Sequence, residues 1–124
     1  MLYYLSMEWK IIISEEYESW FNKLPQKHKF AIATDLEVLK NIGPTLGRPY
    51  ADQIKGSKFS NLKELRTKVP GHVYRSLFAF DPKRHAVILS GGDKKGKNQE
   101  KFYKRLIAQA EIVFETYLKT IQQK

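Results

Sequence analysis

The chain has no cysteine among its 124 residues, which excludes disulfides, zinc–thiolate sites and iron–sulfur clusters. Its three histidines, His28, His72 and His85, stand too far apart for metal-ligand spacing, so neither a metal nor a cofactor is expected. Long apolar runs are also missing. Residues 1–5 are apolar, but Glu8 and Lys10 follow at once, which is too short for a signal-peptide core or a membrane span. A cytoplasmic protein is the expectation. Repeats, low-complexity tracts and linkers are absent too. Residues 1–124 therefore read as one domain, with residues 1–6 as a loosely attached extension.

Negative charge is scarce where positive charge is dense. Residues 1–46 hold five Lys/Arg and six Asp/Glu, residues 47–105 hold fifteen and five, and residues 106–124 hold two and two. The whole formal excess of +9 thus arises in the middle segment. Such a footprint points to a polyanionic partner.

Periodicity suggests the elements. Residues 7–13 read as a strand with Trp9, Ile11 and Ile13 on one face. Ser14 suits a helix N-cap, Glu15, Glu16 and Glu18 favour its positive end, and Tyr17, Trp20, Phe21 and Leu24 form one stripe. Pro25 suits the first turn of a second helix carrying Ile32, Leu36 and Leu39, which Gly43 and Pro44 stop. Residues 45–60 read as a loop. Strands are predicted at 62–69, 73–80 and 86–89, joined by short turns as antiparallel hairpins, with Gly91-Gly92 ending the last. A lysine-rich loop leads to a helix over 99–121, whose stripe is Phe102, Leu106, Ala110, Val113 and Tyr117. The fold class is α+β: a small antiparallel sheet with an N-terminal helical hairpin and a C-terminal helix.

Strand parity sorts the basic residues. Glu64, Arg66 and Lys68 share one face, while Lys63 shares the other with Leu65, Thr67 and Val69. With helices on one side of the sheet, the charged face would be the open one. Arg75 lies in an otherwise apolar strand, so it needs either a partner, Glu64 or Asp81, or an open groove that admits an anion. Lys94, Lys95 and Lys97 project from the loop after the last strand. This set suits RNA. Guanidinium groups hold phosphate oxygens and stabilise a phosphorane. A carboxylate such as Glu64, or a lysine, could take the proton of the RNA 2′-hydroxyl. No histidine stands where it would serve as the acid. Lys58, Lys63, Lys68 and Lys97 are the candidate RNA-binding cations; Arg66, Arg75, Lys94, Lys95 and Glu64 are the candidate catalytic set.

The ordered segments Asn61-Leu62-Lys63-Glu64-Leu65-Arg66, Gly71-His72-Val73-Tyr74-Arg75 and 91–97, with Leu46-Gly47-Arg48-Pro49 before them and a terminal helix after, resemble the HigB-type toxins of the RelE/ParE superfamily. The resemblance covers about residues 7–120. It implies a type II toxin–antitoxin module whose toxin is a ribosome-dependent mRNA endonuclease, an mRNA interferase that cleaves without metal through 2′-hydroxyl attack. It also implies a HigA-type helix-turn-helix antitoxin, with operator DNA reached only through that partner. The family's Leu-Arg and Tyr-Arg positions fall on Arg66 and Arg75, its basic loop on Lys94 and Lys95, and Tyr103 lies near a tyrosine that some relatives use. Two departures stand out: the loop continues Lys97-Asn98-Gln99 where many relatives have Lys-Thr-Pro, and relatives that use a C-terminal histidine have no counterpart here. Two other readings of the same residues are a ParE-like toxin that binds DNA gyrase and a non-toxic nucleic-acid-binding module. The antitoxin could cover the basic face or bind the helical hairpin.

Overall fold

The computed structural model of the chain describes residues 9–122, so the expected extension and the start of the first predicted strand lie outside the described residues. Strand β1 (Lys10–Ile13) leads directly into α1 (Glu15–Asn22) and α2 (Gln26–Ile42). The short strand β2 (Ala51–Gln53) follows, then β3 (Lys63–Val69), β4 (His72–Phe80), β5 (His85–Asp93) and the long helix α3 (Gln99–Gln122). Ser14 caps α1 as its sequence position suggests. Its Oγ accepts from the Tyr17 amide at 3.1 Å and donates to the Leu89 carbonyl at 3.1 Å, which ties the helix to the sheet. Pro25 stands one residue earlier than expected, at the N-cap of α2. Gly43 closes α2 with φ of 78°, and a Cβ there would lie 2.4 Å from the Trp9 indole nitrogen.

The sheet runs β1-β5-β4-β3-β2. The three strands β3, β4 and β5 pair antiparallel, as the turn signals imply, but β1 lies parallel to β5, so the sheet is mixed. β1 is followed by helices instead of a hairpin, which lets it return to the edge beside β5 in the same direction. β2 lies inside the segment read as a loop. Only three residues long, it is held by pairing Ala51 with Leu65 and Gln53 with Lys63.

The last strand continues through Gly91-Gly92 instead of ending there. The two glycines are strand residues because neighbours press on them from both faces. A Cβ on Gly91 would lie 2.4 Å from the Trp20 ring, and one on Gly92 would lie 2.9 Å from the Phe102 ring.

Both faces of the sheet are covered. Tyr17, Ile32, Leu36 and Leu39 from α1 and α2 pack on Leu65, Tyr74, Phe78 and Ile88. Phe102, Leu106, Ala110, Val113 and Phe114 from α3 pack on Leu62, Leu77, Ala79, Val87 and Leu89. The expectation of helices on one side is therefore corrected: the face bearing Glu64, Arg66 and Arg75 is the one α3 lies against. Burying two large apolar faces requires two helical layers. Among the described residues, no helix is long and apolar enough to cross a membrane.

Candidate active site

Arg66 and Arg75 stand directly opposite each other on β3 and β4, on one face of the sheet. Two like charges in that position repel unless an anion lies between them. Glu64, two residues before Arg66 on the same face, supplies it. One oxygen, Oε1, accepts from Arg66 Nε at 2.8 Å and lies 3.1 Å from Arg75 Nε. Tyr103, from the first turns of α3, donates its hydroxyl to the same oxygen at 3.2 Å and accepts from Arg75 Nε at 3.1 Å. Glu64 is thus the centre of the cluster. It is 3% exposed and Arg75 is 7% exposed, while the Arg66 side chain keeps 29% of its surface open.

A second carboxylate extends the network outward. Asp52, at the middle of β2, accepts from Arg66 Nη2 at 3.1 Å and from Arg48 Nη2 at 2.7 Å. The hydrogen bond from Arg48 is the main cause holding the Asp52 carboxyl below its ordinary range, with the Gln53 amide and the Arg66 charge adding to it. The hydrogen bond to Glu64 reinforces the protonated Arg66 guanidinium. Burial, then the Glu64 carboxylate, raises the Tyr103 phenol above its ordinary value, so it remains a proton-bearing hydroxyl at neutral pH. Lys94 brings its ammonium 5.7 Å from the Tyr103 ring centroid. Four cations therefore surround two carboxylates, and a groove of about 1080 Å³ opens beside them, with Arg48, Asp52, Glu64 and Tyr103 among its walls.

Of the sequence-predicted catalytic set, Glu64, Arg66, Arg75 and Lys94 come together here. Lys95 lies nearby on the same loop, its amide held by Asp93 Oδ1 at 3.0 Å and its side chain exposed. The RNA-binding candidates are dispersed. Lys68 continues the Arg66 face and is exposed. Lys97 lines a different cavity, between α1 and α3. Lys63 turns to the opposite face, donating to the Pro44 carbonyl at 2.9 Å and lying over the Phe80 ring. Lys58 pairs with Glu115 of α3 at 2.7 Å. The expected partner choice for Arg75 resolves to Glu64. Asp81 is engaged elsewhere, by His85 Nδ1 at 2.7 Å and by the Tyr117 hydroxyl.

Sequence reasoning overlooked Asp52 and left Tyr103 outside the candidate catalytic set, noting only that it lies near a tyrosine that some relatives use. The signal for Asp52 was its spacing from Arg48, i to i+4 in a basic stretch. Tyr103 sits beside the α3 stripe instead of in it, where a phenol can pack its ring and still present its hydroxyl.

Comparisons with known proteins agree with this architecture. Residues 19–115 match the family model of the phage-derived Gp49-like proteins. The chain is 40% identical over 108 residues to the toxin HigB3 of Mycobacterium tuberculosis, covering 87% of this chain and 92% of that protein. It is 37% identical over 105 residues to the toxin HigB2 of the same organism, covering 84% of this chain but only 52% of that longer protein. Two solved structures share the fold. Free Escherichia coli RelE, as a double arginine mutant, superposes with a TM-score of 0.59 at 13% identity, over 82% of this chain and 97% of that one. The RelE–RelB complex of Pyrococcus horikoshii OT3 gives a TM-score of 0.54 at 17% identity, over 74% and 100%. With its sequence matching over most of its length, the chain belongs to the Gp49-like family and is a HigB-type protein, and its sheet and terminal helix share the fold of RelE.

Proposed function

We propose that the protein is the toxin of a type II toxin–antitoxin module and a metal-independent endoribonuclease that cuts mRNA on the ribosome, in the cytoplasm. The observation that carries this reading is the facing pair Arg66 and Arg75 with the Tyr103 hydroxyl between them and the groove. A scissile phosphate entering the groove exchanges places with carboxylates. Arg66 and Arg75 turn from Glu64 and Asp52 to the phosphate oxygens, where they stabilise the extra charge of the phosphorane. That exchange frees Glu64 to accept the 2′-hydroxyl proton. O2′ attacks phosphorus, the P–O5′ bond breaks, and the Tyr103 phenol delivers a proton to O5′, leaving a 2′,3′-cyclic phosphate and a 5′-hydroxyl. Lys94, beside the Tyr103 ring, lowers the cost of the transient phenolate. Lys95 and Lys68 extend the positive surface along which the RNA backbone lies.

The partner in this reading is a HigA-type helix-turn-helix antitoxin, and operator DNA is reached through it. Growth arrest and transcript cleavage on ribosomes should both disappear in Arg75→Ala. Arrest with intact transcripts would instead mark a toxin that acts by binding.

A further inference from the structure

β1 covers only part of the outer edge of β5. The pairing begins with Lys10 opposite His85 and ends with Ile13 opposite Ile88. There the chain turns away, because Ser14 caps α1. Among the described residues, no strand lies beside the rest of the β5 edge. The hydrogen-bond parity shows which groups are free. The Lys94 amide donates to the Val73 carbonyl on β4, and Arg75 faces Gly92 across that pair. Backbone groups alternate sides along a strand, so Gly91 and Asp93 turn their N–H and C=O away from β4, toward the vacant edge. At Leu89, where that edge begins, the carbonyl is already taken by the Ser14 hydroxyl.

A groove of about 500 Å³ runs along this edge. Its floor is Gly91 and Gly92 with the Trp20, Phe102 and Leu106 side chains. Its rim is cationic: Lys97, Lys101 and Arg105 line it, and Lys101 and Arg105 are exposed one helical turn apart on α3. Among the described residues, neither Lys101 nor Arg105 forms an ion pair. The one carboxylate in the groove, Asp93, is fully engaged. Its Oδ2 is bound by His72 at 2.6 Å, and its Oδ1 accepts from the Val73 and Lys95 amides at 3.1 and 3.0 Å.

We propose that this groove is a docking site for an extended acidic peptide segment, which adds as a strand beside Gly91–Asp93 and continues the track that β1 leaves. Three features select that occupant. The free N–H and C=O groups on alternate residues match a strand and not a helix or a nucleotide. The glycines and the Trp20 and Phe102 rings accept apolar side chains from every second residue. The unpaired Lys101 and Arg105 call for carboxylates on the side facing α3. The site lies across α3 from the groove walled by Glu64 and Tyr103, so a segment held here need not enter the active site. The identification of the segment with part of the antitoxin rests on the toxin–antitoxin reading above; the chemistry of the segment does not.

The probe is a synthetic eight-residue peptide alternating Glu or Asp with Leu or Val, titrated into the full chain with amide hydrogen exchange followed by NMR. Binding should slow exchange at the Gly91 and Asp93 amides at least tenfold. The double variant Lys101→Glu, Arg105→Glu should weaken binding at least tenfold, and a peptide with its apolar residues replaced by proline should not bind. Arg75→Ala should bind as the parent does. The idea is overturned if the peptide does not bind, if it binds without protecting those two amides, if charge reversal leaves affinity unchanged, or if a single-stranded RNA displaces the peptide from the groove in Arg75→Ala. Cleavage on ribosomes by the Lys101→Glu, Arg105→Glu variant gives a separate readout. Absence of cleavage by both that variant and the parent would sink the nuclease reading while leaving peptide binding as measured.

Discussion

Two carboxylates receive the two tyrosines of α3, and they do different work. Toward the start of the helix, Glu64 accepts the Tyr103 hydroxyl together with two arginines. Toward its end, Asp81 accepts the Tyr117 hydroxyl together with His85 Nδ1 and the Lys83 and His85 amides. The Asp81 side chain has no exposed surface and two of its donors are backbone amides of its own turn. Those donors cannot leave without dismantling the turn, so the Asp81 cluster is a lock between the β4–β5 turn and the helix. The donors to Glu64 are long side chains beside an open groove, and Arg66 keeps a solvent-facing surface. Such donors can exchange one anion for another. The origin of its donors thus separates a structural carboxylate from one that the proposed function places in a phosphate-handling site.

The sharpest separation is expected from Arg75→Ala. It should slow mRNA cleavage on ribosomes by a factor on the order of 100 to 1000, as loss of a transition-state donor does elsewhere. Asp81→Ala should cost about 3 kcal/mol of stability by leaving buried donors unpaired, read from urea unfolding, with no change in cleavage per folded molecule. The two tyrosines should divide in the same way. Tyr103→Phe should lose on the order of 100-fold in cleavage with a nearly unchanged melting temperature, whereas Tyr117→Phe should lower the melting temperature and spare cleavage.

Acid should discriminate the two ends as well. Burial opposes ionisation of Asp81, but the bonds from Tyr117, His85 and the two amides outweigh it, so its carboxyl lies below the ordinary value. A depressed carboxyl contributes stability that is present above about pH 4, the unfolded value, and is lost as pH falls toward the folded one. Unfolding measured from pH 6 down to pH 2 should therefore show less acid destabilisation in Asp81→Asn than in the parent. The smallest effect is expected at the rim of the groove. Asp52→Asn removes a competitor for Arg66, so RNA binding should tighten a few-fold and its salt dependence should steepen, as measured by titration at several ionic strengths.

Much of this is legible in the sequence alone. Parity placed Glu64 and Arg66 on one face because the strand repeat is two residues, and that rule survives folding. Arg75 was conspicuous because a lone charge in an apolar strand requires an anion, and Glu64 is that anion. The α3 stripe was legible for the same periodic reason: Phe102, Leu106, Ala110 and Val113 are buried. What was not legible depends on contacts between distant segments. β2 is a strand only because β3 lies beside it. Gly91 and Gly92 looked like a terminus, yet they are the places where Trp20 and Phe102 come closest to the backbone. Tyr103 was ambiguous because its ring packs and its hydroxyl does not. The pairing of Arg66 opposite Arg75 follows from hairpin register, which composition does not encode. The dispersal of Lys58 and Lys63 shows the limit of counting charge: one serves Glu115 and the other the opposite face.

The most direct measurement compares purified Arg75→Ala and Asp81→Asn at equal folded concentration, with the parent, for cleavage of a defined mRNA on programmed ribosomes. The expected result is fragments from the parent and from Asp81→Asn at matching rates, with about 100-fold slower cleavage or none from Arg75→Ala. Cleavage by Arg75→Ala at the parental rate would contradict the assignment of the Glu64, Arg66, Arg75 and Tyr103 cluster as the active site.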